Sequence, residues 1–167
     1  MDINNRNKEF LSKIDNDKEL KKRRDDLIKG QHPEVLVVCC SDSRVVPEMI
    51  FSCSLGEIFV VRTAGNVISE GELATISYAI EHLHVAHIIV LGHTHCGAIH
   101  ATIHNEAVKY MDPIAKRIRR NIKGIVDEKE ASKVNAEKEV EYLKEMFPEF
   151  KGKIESKVYD IETSALI

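Results

Sequence analysis

The stretch Val35-Leu36-Val37-Val38-Cys39-Cys40-Ser41-Asp42-Ser43-Arg44-Val45-Val46 joins two kinds of sequence. Its first half is an unbroken aliphatic run behind His32-Pro33, the pattern of a strand buried on both faces of a parallel sheet. Two similar runs follow, EIFVVR from Glu57 to Arg62 and HIIVLG from His87 to Gly92. Between them, GELATISYAIEHL sets Leu73, Ile76, Ala79, Ile80 and Leu83 on one helical face. Strand, helix and strand in that order predict a right-handed βαβ unit, and the chain reads as one α/β domain.

The first thirty residues are charge-dense and carry the mixed run KELKKRRDDLIKG, which reads as a helix or two ending at Gly30. Beyond Gly97 the chain reads as helical through EAVKYMDPIAKRIRRNIKG, with Pro113 breaking or restarting the helix, and again through NAEKEVEYLKEMF to Pro148. The tail KVYDIETSALI reads as a last strand, a turn and a short return. The basic cluster Lys116, Arg117, Arg119, Arg120 and Lys123 has no interleaved aromatics and acidic stretches follow it, so no nucleic-acid partner is expected.

Apolar residues make up 43% of the 167 positions and charged ones 31%, with a net charge of −3, the balance of a soluble globular protein. No apolar run approaches the roughly 20 residues of a membrane span. The opening MDINNRNKEF lacks the apolar core of a signal peptide, so the expectation is a cytoplasmic protein with no membrane partner. In that reducing compartment Cys39, Cys40, Cys53 and Cys96 are expected as free thiols that bind metal or do chemistry.

Loops leaving the carboxyl ends of neighbouring parallel strands face one crevice. Two such loops, CCSDSR and GHTHCGA, are rich in metal-ligating residues. If their strands are neighbours, Cys40, His93 and Cys96 converge. His93 and Cys96 are three apart, about one helical turn, so both can address one ion, whereas consecutive His95 and Cys96 diverge. Two thiolates and an imidazole suit zinc and leave a fourth position open, the pattern of a catalytic site. His95 and Cys39 are the other candidates to close the shell. Cys39 should point away from Cys40, because successive strand residues alternate faces, and it reads as a small core residue.

Asp42 lies two residues beyond Cys40, within reach of the metal or of water on it. Arg44, two further on, can hold that carboxylate in a two-bond fork. Released from Arg44, Asp42 is able to bind the metal itself. Gly65 and Asn66 in RTAGNV, and Gly97 after Cys96, are the candidate substrate-contacting positions, with backbone groups and an amide lining the crevice. His95 and His100 are the histidines closest in sequence to the ligands and the first candidates to carry a proton away. His82, His84 and His87 span a helix end and a loop at spacings unsuited to one face, and no metal is expected there.

The segment Cys40-Ser41-Asp42-Ser43-Arg44 followed by His93-Thr94-His95-Cys96 resembles the β-class carbonic anhydrases, whose pattern is C-x-D-x-R and then H-x-x-C. The resemblance continues through VVPEMIF, EIFVVRTAGNVI, ISYAIEHL, VLGHTHCGA and VYDIET, from about Lys29 to Thr163. It implies a four-stranded parallel sheet edged by a further antiparallel strand. It also implies one Zn2+ per subunit on Cys40, His93 and Cys96, with Asp42 and Arg44 as the gating dyad. The implied reaction is reversible hydration of carbon dioxide to bicarbonate and a proton by hydroxide generated on zinc; because two thiolates donate more charge to the metal than imidazoles do, activity is expected to rise toward alkaline pH. The implied assembly is a homodimer or a multiple of dimers, with residues 1–30 as a helical arm that embraces the partner and residues 31–167 as the zinc domain.

One departure stands out. Where many members of that family carry glutamine before the second strand, this chain has Cys53-Ser54-Leu55. Two alternatives share the same residues: a hydrolase of carbonyl sulfide or carbon disulfide, and a zinc-stabilised interaction module in which the fourth position is filled and no water is activated. A nucleotide-binding module is excluded by the lack of a glycine-rich phosphate loop after any strand.

Overall fold

A computed structural model describes residues 2–167. The three apolar runs form β1 (Val35–Cys40), β2 (Ile58–Thr63) and β3 (His87–His93), and the tail supplies β4 (Lys153–Tyr159). All four pair in parallel in the order β2-β1-β3-β4. The helices are α1 (Ile3–Asn16), α2 (Lys18–Leu27), α3 (Pro47–Ile50), α4 (Glu70–Glu81), α5 (Gly97–Ile103), α6 (Asp112–Ile122) and α7 (Glu128–Met146).

The N-terminal segment, read as one helix or two, forms two, α1 and α2, and a single residue separates them. Asp17 ends α1, and its carboxylate accepts from the N–H groups of Glu19 and Leu20, both at 3.0 Å, to start α2. Arg23 ties α2 to the loop before β2 through Glu57 at 3.2 Å. Pro113 lies in the first turn of α6, where its missing N–H costs nothing, so it restarts the helix.

Alternation along the strands divides the core. Leu36 and Val38 of β1 and Ile88 and Val90 of β3 pack with Ile76 and Ala79 of α4 and Ala136, Val140 and Leu143 of α7. Val37, Cys39, Ile89 and Leu91 face the other way, against Val45 and the α3 segment. The α4 connection between β2 and β3 passes over β1, so β1 lies centrally with one ligand-rich loop at its end and the other at the end of its neighbour.

The fourth strand is parallel, and the antiparallel edge strand implied by the family resemblance is not present among the described residues. After β4, Asp160 accepts from the N–H of Glu162 at 2.9 Å and turns the chain. The return then makes a single antiparallel bridge, Leu166 to Tyr159. Among the described residues, no helix is long and apolar enough to cross a membrane.

Candidate metal centre

Registers Val38↔Val90 and Cys39↔Leu91 align the ends of β1 and β3. Cys40, the last residue of β1, therefore faces His93, the last of β3, and Cys96 caps the start of α5. The ligand atoms of Cys40, His93 and Cys96 all lie within 4.8 Å of one another, and all three side chains are buried. Neither His95 nor Cys39 joins them.

The two adjacent cysteines differ as strand alternation requires. Cys39 sits in the apolar layer with Val37, Val45 and Leu91, and burial pushes its thiol up to about 12. Cys40 is drawn well below the ordinary thiol range, first by the Cys96 thiol donating to it and further by the backbone N–H groups of Asp42 and Gly65. Cys96 moves up as the donor of that shared proton and through burial.

His93 has no exposed surface. Its Nδ1 lies 2.9 Å from the Thr94 carbonyl, and its Nε2 is buried with no hydrogen-bond partner. The carbonyl accepts from Nδ1–H, so the proton sits on that nitrogen and Nε2 presents a lone pair toward the two sulfurs. An orphaned buried nitrogen aimed at two thiols is a donor set that a zinc ion completes, with two sulfurs and one imidazole.

Both Asp42 oxygens are engaged by Arg44: Oδ1 accepts from the backbone N–H at 2.9 Å and from Nε at 3.0 Å, and Oδ2 from a terminal guanidinium nitrogen at 2.7 Å. This fork holds the Asp42 carboxyl down at about 2. Arg44 also donates to the His95 carbonyl at 3.1 Å, linking the two loops.

Of the candidate substrate positions, Gly65 is brought to the centre: its N–H donates to Cys40 Sγ at 3.3 Å. Gly65 has φ +66, and a Cβ there would press on Ile118 and Ala98 at 3.0 and 3.2 Å, so both backbone and packing require glycine. Asn66 is buried, and its Nδ2 has no partner. Gly97 opens α5 immediately after Cys96, with nothing within 4 Å of where its Cβ would be. His95 is exposed and lies 3.2 Å from Glu162, and His87 pairs with Glu155 at 3.0 Å.

Several supporting residues carry no motif in the sequence. Arg62, at the end of β2, donates to the carbonyls of Cys40 at 3.3 Å, Asp42 at 2.8 Å and Val45 at 2.7 Å and so shapes the first loop. Thr94 Oγ1 accepts from the Ile161 N–H at 3.0 Å, fastening the second loop to the turn after β4. Asn135, buried in α7, donates to the Gly65 carbonyl at 2.9 Å and accepts from Asn121 at 2.9 Å. Asn121 also donates to Glu139, which takes both arms of the Arg117 guanidinium at 2.9 Å. An arginine closing an apolar strand was the one available sequence signal; the asparagines gave none.

A parallel α/β sheet that brings two thiols and an imidazole together at adjacent strand ends, beside a carboxylate clamped by arginine, defines a class of protein with a Cys2His metal-binding arrangement. A family model for carbonic anhydrases matches residues 35–165. The chain belongs to that family, in its β class.

The carbonic anhydrase of Synechococcus elongatus is 51% identical over 77 residues, covering 42% of this chain and 28% of that protein. The β-carbonic anhydrase of Aspergillus fumigatus superposes with a TM-score of 0.81 at 27% identity, over 97% of this chain and 86% of that one. A tetrameric β-carbonic anhydrase of Sordaria macrospora gives 0.74 at 27%, over 98% and 96%. The matches span 28 to 39% of the length of the first curated relatives.

Proposed function

We propose that the chain catalyses reversible hydration of carbon dioxide to bicarbonate and a proton, with Cys40, His93 and Cys96 holding one zinc ion per subunit. The single observation that carries this reading is the convergence of those three buried ligand atoms, with His93 Nε2 left unpartnered among them. When bound, zinc supplies Lewis acidity that makes hydroxide available for attack on the substrate carbon.

The protein's own groups then do the rest. Asp42, ionised in the Arg44 fork, is an acceptor only, and its role is to take a hydrogen bond from the attacking oxygen and aim a lone pair at the substrate. Gly65 N–H spreads the charge of the Cys40 thiolate. Asn66 Nδ2 is a buried donor in want of an acceptor, and a bicarbonate oxygen is the acceptor we assign to it. The open flank of Gly97 leaves room for a small linear substrate.

The arm formed by residues 1–30 leaves Ile3, Phe10 and Leu11 about half exposed. A groove of about 850 Å3 runs between α1, α2 and the loop before β2, lined by Phe10, Leu20, Leu27, Ile28 and Leu55. These apolar surfaces support a homodimer or a multiple of dimers in which the arm packs on the partner, and the tetramer named for the Sordaria relative is in keeping with it. Four free thiols suit a reducing compartment, and the cytoplasm is the location we assign.

The test is stopped-flow carbon dioxide hydration on protein of measured zinc content, at neutral and alkaline pH. Fast turnover proportional to zinc supports the reading. Full zinc without turnover at either pH overturns it.

A further inference from the structure

Apart from the Cys40, His93 and Cys96 set, the described residues bring together one other trio of metal-ligating side chains. His100 on α5, His104 at the cap of that helix and Glu128 at the start of α7 place their ligand atoms within 4.8 Å of one another. The spacing of four puts both rings on one helical face, and their centroids are 4.4 Å apart. Glu128 Oε1 lies 2.7 Å from His100 Nδ1 and 3.5 Å from His104 Nε2. On the far side of the His100 ring, Nε2 is 3.7 Å from Glu106 Oε2.

We propose that His100, His104 and Glu128 form a second cation site, specific for a borderline divalent transition ion such as Zn2+. Two imidazoles and a carboxylate are the donors such ions take, whereas Ca2+ and Mg2+ require oxygen throughout. Ligands about 2.0–2.2 Å from a tetrahedral ion are themselves about 3.3 Å apart. The His104 to Glu128 separation already matches this, and the His100 to Glu128 contact needs to open only slightly.

Glu106, 3.7 Å from Nε2, places a second carboxylate behind the His100 ring, on the side where the outer carboxylate of a ligating histidine stands. An ion pair with Glu128 accounts for His100, whose basicity that carboxylate raises. It leaves His104 only loosely held, since its Nε2 stands 3.5 Å from the same carboxylate oxygen. One ion shared between the rings accounts for both. Occupancy would clip the C-terminal end of α5 to the N-terminus of α7, one turn from Cys96.

The experiment is equilibrium dialysis of the intact protein against excess Zn2+, with metal counted per chain by atomic emission, alongside His104→Ala and Glu128→Gln. All three side chains are at least about one-third exposed, so neither change threatens the fold. Wild type should take up one equivalent more than either variant, and excess Zn2+ should raise its melting temperature more than theirs, since binding to the native state alone stabilises it. The count is a difference between chains, so it stands whether or not the Cys40, His93 and Cys96 centre is catalytic. Equal uptake by the three proteins would overturn the proposal and leave an ordinary surface ion pair.

Discussion

Asn135→Ala tests whether the buried polar path from α7 to the metal loop supports the site or only fills space. Asn135 is fully buried, donates to the Gly65 carbonyl at 2.9 Å and accepts from Asn121 at 2.9 Å. Truncation deprives the Gly65 carbonyl of this donor and leaves Asn121 with Glu139 alone. At about 1–3 kcal/mol for a buried polar group left unmade, and less for the donor that keeps a second partner, the loss comes to about 2–4 kcal/mol. That is a large share of a domain stability of about 5–15 kcal/mol, yet it leaves the protein folded. With a urea m value of about 2 kcal/mol/M, the midpoint should fall by about 1–2 M at unchanged slope.

Stability alone does not separate support of the site from packing, so the assay needs a second reading at the site. In cobalt-substituted protein the thiolate-to-metal absorption reports on Cys40, whose sulfur receives the Gly65 N–H at 3.3 Å. Asn135→Ala should shift that band. Leu143→Ala, equally buried but in the α4/α7 apolar layer, should cost about 2–5 kcal/mol and leave the band in place. A loss below about 0.5 kcal/mol for Asn135→Ala, or an equal band shift in both variants, would refute the reasoning.

Three further outcomes are expected. Arg44→Ala should keep zinc, because no ligand is touched, and should lower carbon dioxide hydration by about 10–100-fold, the usual effect of removing an outer partner; zinc content and stopped-flow rates check it. Glu139→Gln should destabilise by about 3 kcal/mol, since Arg117, only 14% exposed and stacked 3.9 Å from the Tyr142 ring, keeps its charge without a counter-charge. In a double-mutant cycle by urea denaturation, Arg117→Met combined with Glu139→Leu should cost clearly less than the sum of the single changes. Glu155, hydrogen-bonded by Lys153 and then Lys157, has its carboxyl lowered from 4.5 to about 2. A depressed carboxyl stabilises the fold above its unfolded value and loses that contribution as pH falls, so Glu155→Gln should flatten the decline in urea midpoint between about pH 4.5 and about pH 2.

The sheet and the ligands were legible because each rests on a local pattern. Buried parallel strands read as unbroken apolar runs, and β1, β2 and β3 fall within a residue of the runs from which they were read. The start of α7 was less legible. Its first two turns, EKEASKVN, show no aliphatic stripe, yet Ala131, Ser132, Asn135 and Ala136 are all buried. The reason is close approach: a Cβ on Gly92 of β3 would lie 3.0 Å from the Ser132 carbonyl and 3.3 Å from Ala136, so only small side chains fit between that helix and the strand. Small polar residues there pass for a solvated face. Glu139 is hidden in the same way, one glutamate among many in the segment until the fold closes Arg117 and Asn121 around it.

The same contrast explains why ligands and their support differ so much in visibility. Cys40, Asp42 and Arg44 lie within five positions, as do His93 and Cys96, because a strand end and the loop after it can aim several side chains at one point. Holding that aim requires anchors from other strands and helices, and these are remote in sequence: Arg62 reaches back 22 positions to the Cys40 carbonyl, Ile161 67 to Thr94, and Asn135 70 to Gly65. Each anchor is a hydrogen bond to backbone or to a short hydroxyl, so it constrains the geometry of the loop without fixing the identity of its side chains. The metal-binding pattern is therefore the part of the site that can be read from the chain directly, while the rigidity that makes it a site belongs to the tertiary fold, and a substitution in α7 should register at Cys40 through Gly65 alone.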